Sequence, residues 1–132
     1  MIFWYVLALV LEGASPAPTL IFQDQKFGQR QTMTCNWVTN FETSRFGKCR
    51  DQFGKSINRG KDATVVCSGA TCKQLDDQAR AVSGWQEDEP PWGNFEVTFS
   101  GRLGLTAHRK RYLGDANRDI LVEDIQGVRI LK

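Results

Sequence analysis

Residues 94–103 read N-F-E-V-T-F-S-G-R-L and carry the clearest structural pattern in the chain. Phe95, Val97 and Phe99 alternate with polar residues, and a period of two predicts a strand with one buried and one wet face. The β-branched and aromatic side chains favour a pleated, half-buried surface. We expect this segment to be the central strand of a small β-barrel.

Further strand patterns lie on both sides of this segment. Residues 29–38 predict a strand that places Cys35 and Trp37 on the core face. The alternation stutters at residues 39–40 and then resumes, which indicates either a bent strand or a hairpin. The remaining predicted strands cover residues 41–46, 63–67 and 119–125. Residues 47–60, rich in glycine and charged side chains, are predicted to be an exposed loop.

A single helix is predicted over residues 71–82. Leu75, Ala79 and Val82 fall on one helical face, and Gly84 follows at the position that a C-terminal glycine prefers. Five strands with a helix between the third and the fourth is the arrangement of the OB-fold, a partly open five-stranded barrel. The sequence therefore predicts a mainly β, OB-fold-like barrel, with an open α+β sheet as the alternative.

Three segments resemble a known group of proteins. Residues 37–46, W-V-T-N-F-E-T-S-R-F, resemble the first strand of small exported bacterial proteins with OB-like barrels. Residues 99–103, followed by Y-L-G at 112–114 and D-I-L-V-E-D-I at 119–125, resemble their two closing strands. The resemblance covers most of residues 29–125. It implies this fold and export, but no catalytic residue, because the function of those proteins is largely uncharacterised.

The chain begins with an uninterrupted apolar run, M-I-F-W-Y-V-L-A-L-V-L. Its length is typical of the apolar region of a secretory signal peptide and is short of the roughly 20 residues that span a membrane. Small residues follow it, although no lysine or arginine precedes it and Pro18 follows the best cleavage site. We expect residues 1–17 to be a signal peptide or hydrophobic anchor and residues 18–132 to form one exported domain, periplasmic or extracellular, without a stable membrane span after cleavage.

An even number of cysteines in an exported chain predicts disulfides. Four cysteines allow about three pairings, and the sequence does not decide among them. The short, glycine-containing segment between Cys67 and Cys72 makes a local bond feasible, so the preferred set is Cys67–Cys72 with Cys35–Cys49. The spacings contain no C-x2-C pair, so neither zinc nor another metal is expected.

Composition excludes several classes of function. The formal net charge of +2 is too small to indicate nucleic acid or an anionic membrane as the main partner. His108 is the only histidine, so no mechanism can use two histidines of one chain. Sequence motifs of nucleophilic hydrolases such as G-x-S-x-G are missing, and no cofactor is expected.

The densest positive patch is the basic cluster His108, Arg109, Lys110 and Arg111, followed by Tyr112. In OB-folds the loop between the fourth and fifth strands helps to frame the ligand face, and this cluster would lie there. Cations beside an aromatic ring can hold a phosphate chain or a sugar. The alternative is a solvated loop without a ligand.

Two tryptophans, Trp85 and Trp92, flank an acidic, proline-containing loop. Exposed indoles can stack on sugar or base rings, whereas buried ones would only pack the barrel. With the basic cluster they complete the candidate ligand-binding set.

The leading hypothesis is an exported, non-catalytic binding module for a protein, a glycan or a nucleic acid, in that order. A secreted hydrolase or nuclease and a structural envelope protein are the alternatives. Convergence of His108, Asp115, Glu123 or Arg102 in one cleft would favour the enzyme.

Overall fold

The computed structural model of the chain describes residues 19–40, 42–88, 91–111 and 114–131. The apolar segment interpreted as a signal peptide, residues 1–17, and Tyr112 of the candidate site lie outside these ranges. The strands are β1 Leu20–Phe22, β2 Gln25–Phe27, β3 Gln31–Thr39, β4 Ser44–Asp51, β5 Ala63–Val66, β6 Gly93–Leu103 and β7 Asp119–Ile130. One α-helix, α1 Gly69–Ser83, and a 3-10 turn, Asn58–Gly60, complete the described elements.

Five of the strands form one sheet in the order β3-β4-β5-β7-β6. The order closes on itself, because β3 pairs along its whole length with residues 93–101 of β6. Strands β5 and β7 are parallel, whereas the other pairs are antiparallel. The chain is therefore mainly β with one α-helix, as predicted.

The prediction that the helix lies between the third and fourth strands is wrong when all strands of the chain are counted. Helix α1 lies between the fifth and sixth strands, because two short strands precede the sheet. Strands β1 and β2 form a hairpin around Gln23 and Asp24, which both have positive φ. Two successive residues with positive φ match the twist of a tight hairpin. The ordinary alternation signal is too weak in strands of three residues to reveal this element.

Strand β6 is central to the packing, as the alternation in residues 94–103 predicts. Phe95, Val97 and Phe99 are fully buried. Each lies opposite a buried residue of β3 in the register Trp37↔Phe95, Cys35↔Val97 and Met33↔Phe99. Burial of each large side chain stabilises the fold by about 1.5–3 kcal/mol relative to exposure. The inward rows of β3 and β6 thus form the middle of the core.

The two disulfides are Cys35–Cys49 and Cys67–Cys72, the preferred set. Cys35–Cys49 joins β3 to β4 inside the core, where both cysteines are buried. The prediction that an exposed loop starts at residue 47 is wrong, because residues 47–51 continue β4. The Cys35–Cys49 bond explains this difference. Pairing with β3 and burial of Cys49 outweigh the local glycine and charged composition.

Helix α1 covers the predicted residues 71–82 and begins two residues earlier and ends one residue later. Ser68 caps it by accepting a hydrogen bond from the Thr71 amide at 3.3 Å, and Gly84 ends it with φ of 72°. Leu75 and Ala79 are buried. Val82, predicted to share their buried face, is 42% exposed, so the last turn of α1 extends beyond the surface that the helix covers.

Candidate functional site

The basic cluster, His108 to Arg111, lies in the long connection between β6 and β7. The four side chains of the cluster fall into two groups. His108 and Arg111 contact buried groups of the protein, whereas Arg109 and Lys110 are exposed. The predicted cluster is therefore divided between a structural and a solvent-facing half.

The structural half is built on Asp119, whose side chain is 1% exposed. His108 Nε2 lies 2.9 Å from its Oδ1, and Arg111 Nη2 donates to both carboxylate oxygens at 3.0 and 2.9 Å. The other ring nitrogen of His108 lies 2.7 Å from the backbone oxygen of Arg109. A buried carboxylate requires such partners. These contacts attach the β6–β7 connection to the first residue of β7.

The same connection contacts β5 and the turn between β3 and β4. Asp115 accepts a hydrogen bond from the Arg111 amide at 3.3 Å, and the Ala116 amide donates to Thr64 Oγ1 at 2.8 Å. Gly114 packs so closely on the carbonyl oxygen of Glu42 that a Cβ atom would overlap it. Glycine is required there by space, and the connection is held along its length.

A cleft of about 800 Å³ opens between this connection and the segment that joins β4 to β5. We call it the basic cleft because cations outnumber carboxylates among its lining residues. The cations are Arg45, Arg59, Lys61, Lys110 and Arg118, and the carboxylates are Asp62 and Asp115. Of the predicted ligand-binding residues within the described ranges, Lys110 alone lines this cleft.

The charges of the basic cleft are incompletely neutralised within the described part of the chain. Arg59, Lys61 and Lys110 form no ion pair with a described residue. Arg45 lies 3.9 Å from Asp62, and its buried Nε has no hydrogen-bond partner there. An arrangement of this kind attracts anions.

Sequence reasoning missed Arg45, Arg59 and Lys61 as site residues. Arg45 is on β4, Arg59 lies in the 3-10 turn within a segment interpreted only as an exposed loop, and Lys61 directly follows that turn. The available signal was the basic stretch N-R-G-K at residues 58–61. Its relation to Lys110 depends on the pairing of β5 with β7, which no local pattern contains.

The tryptophan pair lies at the other end of β6. Trp92 precedes the first residue of β6, whereas the basic cluster follows the last, and a strand of that length spans about 30 Å. Trp85 and Trp92 stack on each other with ring centroids 6.1 Å apart, and Trp92 is 46% exposed. Trp85 lines a separate cleft beside α1, with Asp76 and Asp77. The predicted aromatic and basic residues therefore do not form one site.

The carboxylates beside Trp85 differ in their proton affinity. Burial raises the pKa of Asp76 above its ordinary value. A hydrogen bond from Lys73, at 2.7 Å, lowers the pKa of neighbouring Asp77. These effects follow from local packing and pairing on α1.

The residues considered for an enzyme form two separate groups. Arg102 and Glu123 make an ion pair of 2.8 Å across β6 and β7, and they do not line the basic cleft. His108 and Asp115 both contact Arg111 in the structural half of the cluster. Within the described ranges, the His108 ring contacts Arg109, Asp119 and Arg111, none of which is a serine, threonine or cysteine.

No group of three or more histidine, cysteine, aspartate or glutamate side chains in the described residues could hold a metal ion. None of the helices described is long and apolar enough to cross a membrane. No family model matches this chain, and searches of the curated proteins and of the solved structures give no significant match.

Proposed function

We propose that this protein is an exported, non-catalytic binding module, a single OB-like barrel that holds an acidic ligand in its basic cleft. The observation that carries the proposal is the excess of cations from three separate segments of chain around one cleft. Charges that stabilise a fold are generally paired, whereas these are incompletely paired among the described residues.

The strand order supports the OB-like barrel. Within the closed sheet, α1 is flanked by the third and fourth strands in chain order, β5 and β6. Pairing also staggers around the ring. Followed from Arg45 through β5, the strand pairing leads by way of Thr64 to Asp119, the first residue of β7. Followed from Arg45 through β3 and β6, it leads by way of Val38 and Asn94 to Leu131, just beyond the last residue of β7. Such a displacement along β7 is the tilt that closure of a sheet into a barrel requires.

Cysteine chemistry supports export. Both disulfides persist only in an oxidising environment, as in secreted and periplasmic proteins. The apolar run at the start of the sequence is consistent with passage across a membrane. An extracellular or periplasmic location would expose the basic cleft to acidic polymers of cell surfaces.

The arrangement around His108 favours binding over catalysis. Both ring nitrogens face oxygen atoms of the protein itself, and Asp119 is already shared with Arg111. A general base has to reach a proton of the substrate. His108 is therefore a structural residue that holds the β6–β7 connection and, with it, the Lys110 side of the basic cleft.

The test uses the double substitution Arg59→Gln with Lys61→Gln. Both side chains are exposed and line the cleft, so their loss should weaken binding of a short sulfated dextran at least about tenfold. Isothermal titration calorimetry at low ionic strength measures the affinity. The matched control, Lys26→Gln with Lys48→Gln, removes the same charge from exposed positions outside the cleft.

A loss confined to the Arg59 and Lys61 variant supports the proposal. Equal losses in both variants would show that net charge alone attracts the polymer, and unchanged binding in the cleft variant would place the site elsewhere. Trp92→Ala adds a further control, because the tryptophan pair lies at the far end of β6 and the proposal expects no change in affinity.

A further inference from the structure

We infer that the ligand of the basic cleft is an acidic oligosaccharide, a chain of sugar rings that carry carboxylate or sulfate groups. This inference rests on the proposed function and specifies its ligand. Two features of the described lining support it: carboxylates among the cations and neutral polar groups beside them.

Carboxylates within a positive cleft select for ligands that can donate hydrogen bonds. Asp62 lies on the cleft wall, 3.9 Å from Arg45 and with its side chain 55% exposed. A phosphodiester chain is negative at every repeat, and its phosphates have no proton to donate, so Asp62 would repel it. A sugar hydroxyl can donate to Asp62 while the acidic group of the same ring faces the cations.

Neutral side chains beside the charges fit the same chemistry. Asn58, Asn117 and Ser56 all line the cleft. Asn58 is held in place because its Nδ2 donates to the backbone oxygens of Lys61 and Asp62, at 3.1 and 3.2 Å. Its amide oxygen is thereby fixed in orientation. Fixed polar groups of this kind give orientation and specificity to ligand sites.

Arg45 is suited to the acidic group itself. Its Nε is buried without a hydrogen-bond partner among the described residues, so one donor of the guanidinium is unsatisfied. A planar guanidinium binds carboxylate or sulfate through parallel hydrogen bonds. An acidic group in the cleft would complete the pairing that Asp62, at 3.9 Å, leaves incomplete.

The described lining differs from that of proteins that bind single-stranded nucleic acid by base stacking. None of the described residues that line the basic cleft is aromatic. Proteins that bind single strands stack bases on aromatic rings, each stack contributing about 1–3 kcal/mol. The described tryptophan pair lies at the opposite end of β6. The volume of about 800 Å³ lies in the range of sites that enclose small, ring-sized ligands.

The experiment compares three probes of matched length by calorimetry with the intact disulfide-bonded protein. They are an oligogalacturonate, a sulfated galactan oligosaccharide and a single-stranded oligonucleotide of the same charge. A neutral galactan oligosaccharide serves as the uncharged reference. We expect at least one of the acidic oligosaccharides to bind about tenfold more tightly than both the oligonucleotide and the neutral sugar. The preference between carboxylate and sulfate identifies the acidic group.

Each outcome separates this inference from the proposed function. If the oligonucleotide binds as tightly as both acidic sugars and Arg59→Gln with Lys61→Gln weakens it, the basic cleft is confirmed but the ligand class is wrong. If the neutral sugar binds as tightly as the acidic ones, the inference is also wrong. If no acidic probe responds to that double substitution, the proposed function itself fails.

Discussion

Two arginine-rich regions of this molecule differ in how their charge is neutralised. On β4, β6 and β7, and at Arg30 just before β3, arginines meet carboxylates of other strands. Around the basic cleft, cations from three segments gather with few carboxylates between them. The first region is a cross-strand ladder of ion pairs, which we call the paired face. Its members are Arg30, Arg50, Glu96, Arg102, Glu123 and Arg129.

The ion pairs of Glu96 on the paired face are also hydrogen-bonded. Glu96 accepts hydrogen bonds from Arg129 at 2.8 and 3.1 Å and from Arg50 at 3.2 Å. The hydrogen bonds from Arg129 are the main reason that the pKa of Glu96 is lowered, and the pKa of Arg129 is raised in turn. In contrast, Arg59 and Lys61 form no ion pair with a described residue. The contrast teaches that pairing, and not the number of arginines, separates charges that stabilise the fold from charges available to a ligand.

The largest effect is expected at Asp119, the buried carboxylate that anchors the β6–β7 connection. Asp119→Ala removes the shared partner of Arg111 and His108, and hydrogen bonds to a charged group contribute about 1.5–3 kcal/mol. The free energy of unfolding in urea measures the loss. Asp124→Ala, at an exposed position of the same strand, is the control and should stay within about 0.5 kcal/mol. Similar losses of unfolding free energy in the two variants would show that the Asp119 carboxylate does not stabilise the fold.

The core and the outward position of Glu96 could be predicted from the sequence, because short-range patterns specify them, whereas the arginine partners of Glu96, 33 and 46 residues away, could not. Alternation in residues 94–103 places Glu96 outward and Phe95 inward, and the structure confirms both. Capping by Ser68 and the bond between Cys67 and Cys72 also depend on residues close in sequence.

The basic cleft could not be predicted in the same way. Its cations come from β4, from the β4–β5 segment and from the β6–β7 connection, and only tertiary pairing brings them together. The sequence did point to Lys110, but as part of a cluster in which His108 and Arg111 are used to hold buried Asp119. Long-range contacts decide which charges remain for a ligand.

A second prediction concerns Glu96, which joins two arginines on the paired face. Glu96→Gln places Arg50 and Arg129 beside a neutral side chain, so the free energy of unfolding should fall by about 1–2 kcal/mol. Urea unfolding at neutral pH and low salt measures the loss. The control is Glu87→Gln, a glutamate at an exposed position without an ion pair to a described residue. A loss no larger than that of the control would show that the paired face contributes little to stability.

Acid should remove the same contribution from the natural protein. Because pairing lowers the pKa of Glu96 in the folded state, its stabilisation is complete above the ordinary pKa of glutamate. It is lost as the pH falls through the lowered folded value. The difference in unfolding free energy between the natural protein and Glu96→Gln should therefore shrink towards zero on acidification. A difference that stays constant down to strongly acidic pH would mean that packing, and not charge, explains the effect.

The smallest effect on stability is expected in the basic cleft. Arg59→Gln with Lys61→Gln should change the free energy of unfolding by less than about 0.5 kcal/mol, because neither cation has an ion-pair partner to lose among the described residues. Removing two neighbouring like charges even favours a slight gain at low salt. Urea unfolding of the double variant, under the same conditions as for Glu96→Gln, measures the change in free energy. A loss as large as that of Glu96→Gln would mean that both regions stabilise the fold, and the distinction between paired and available charges would no longer hold. A near-zero change, together with weakened binding of the sulfated dextran, would show that these cations act on a ligand and not on the fold.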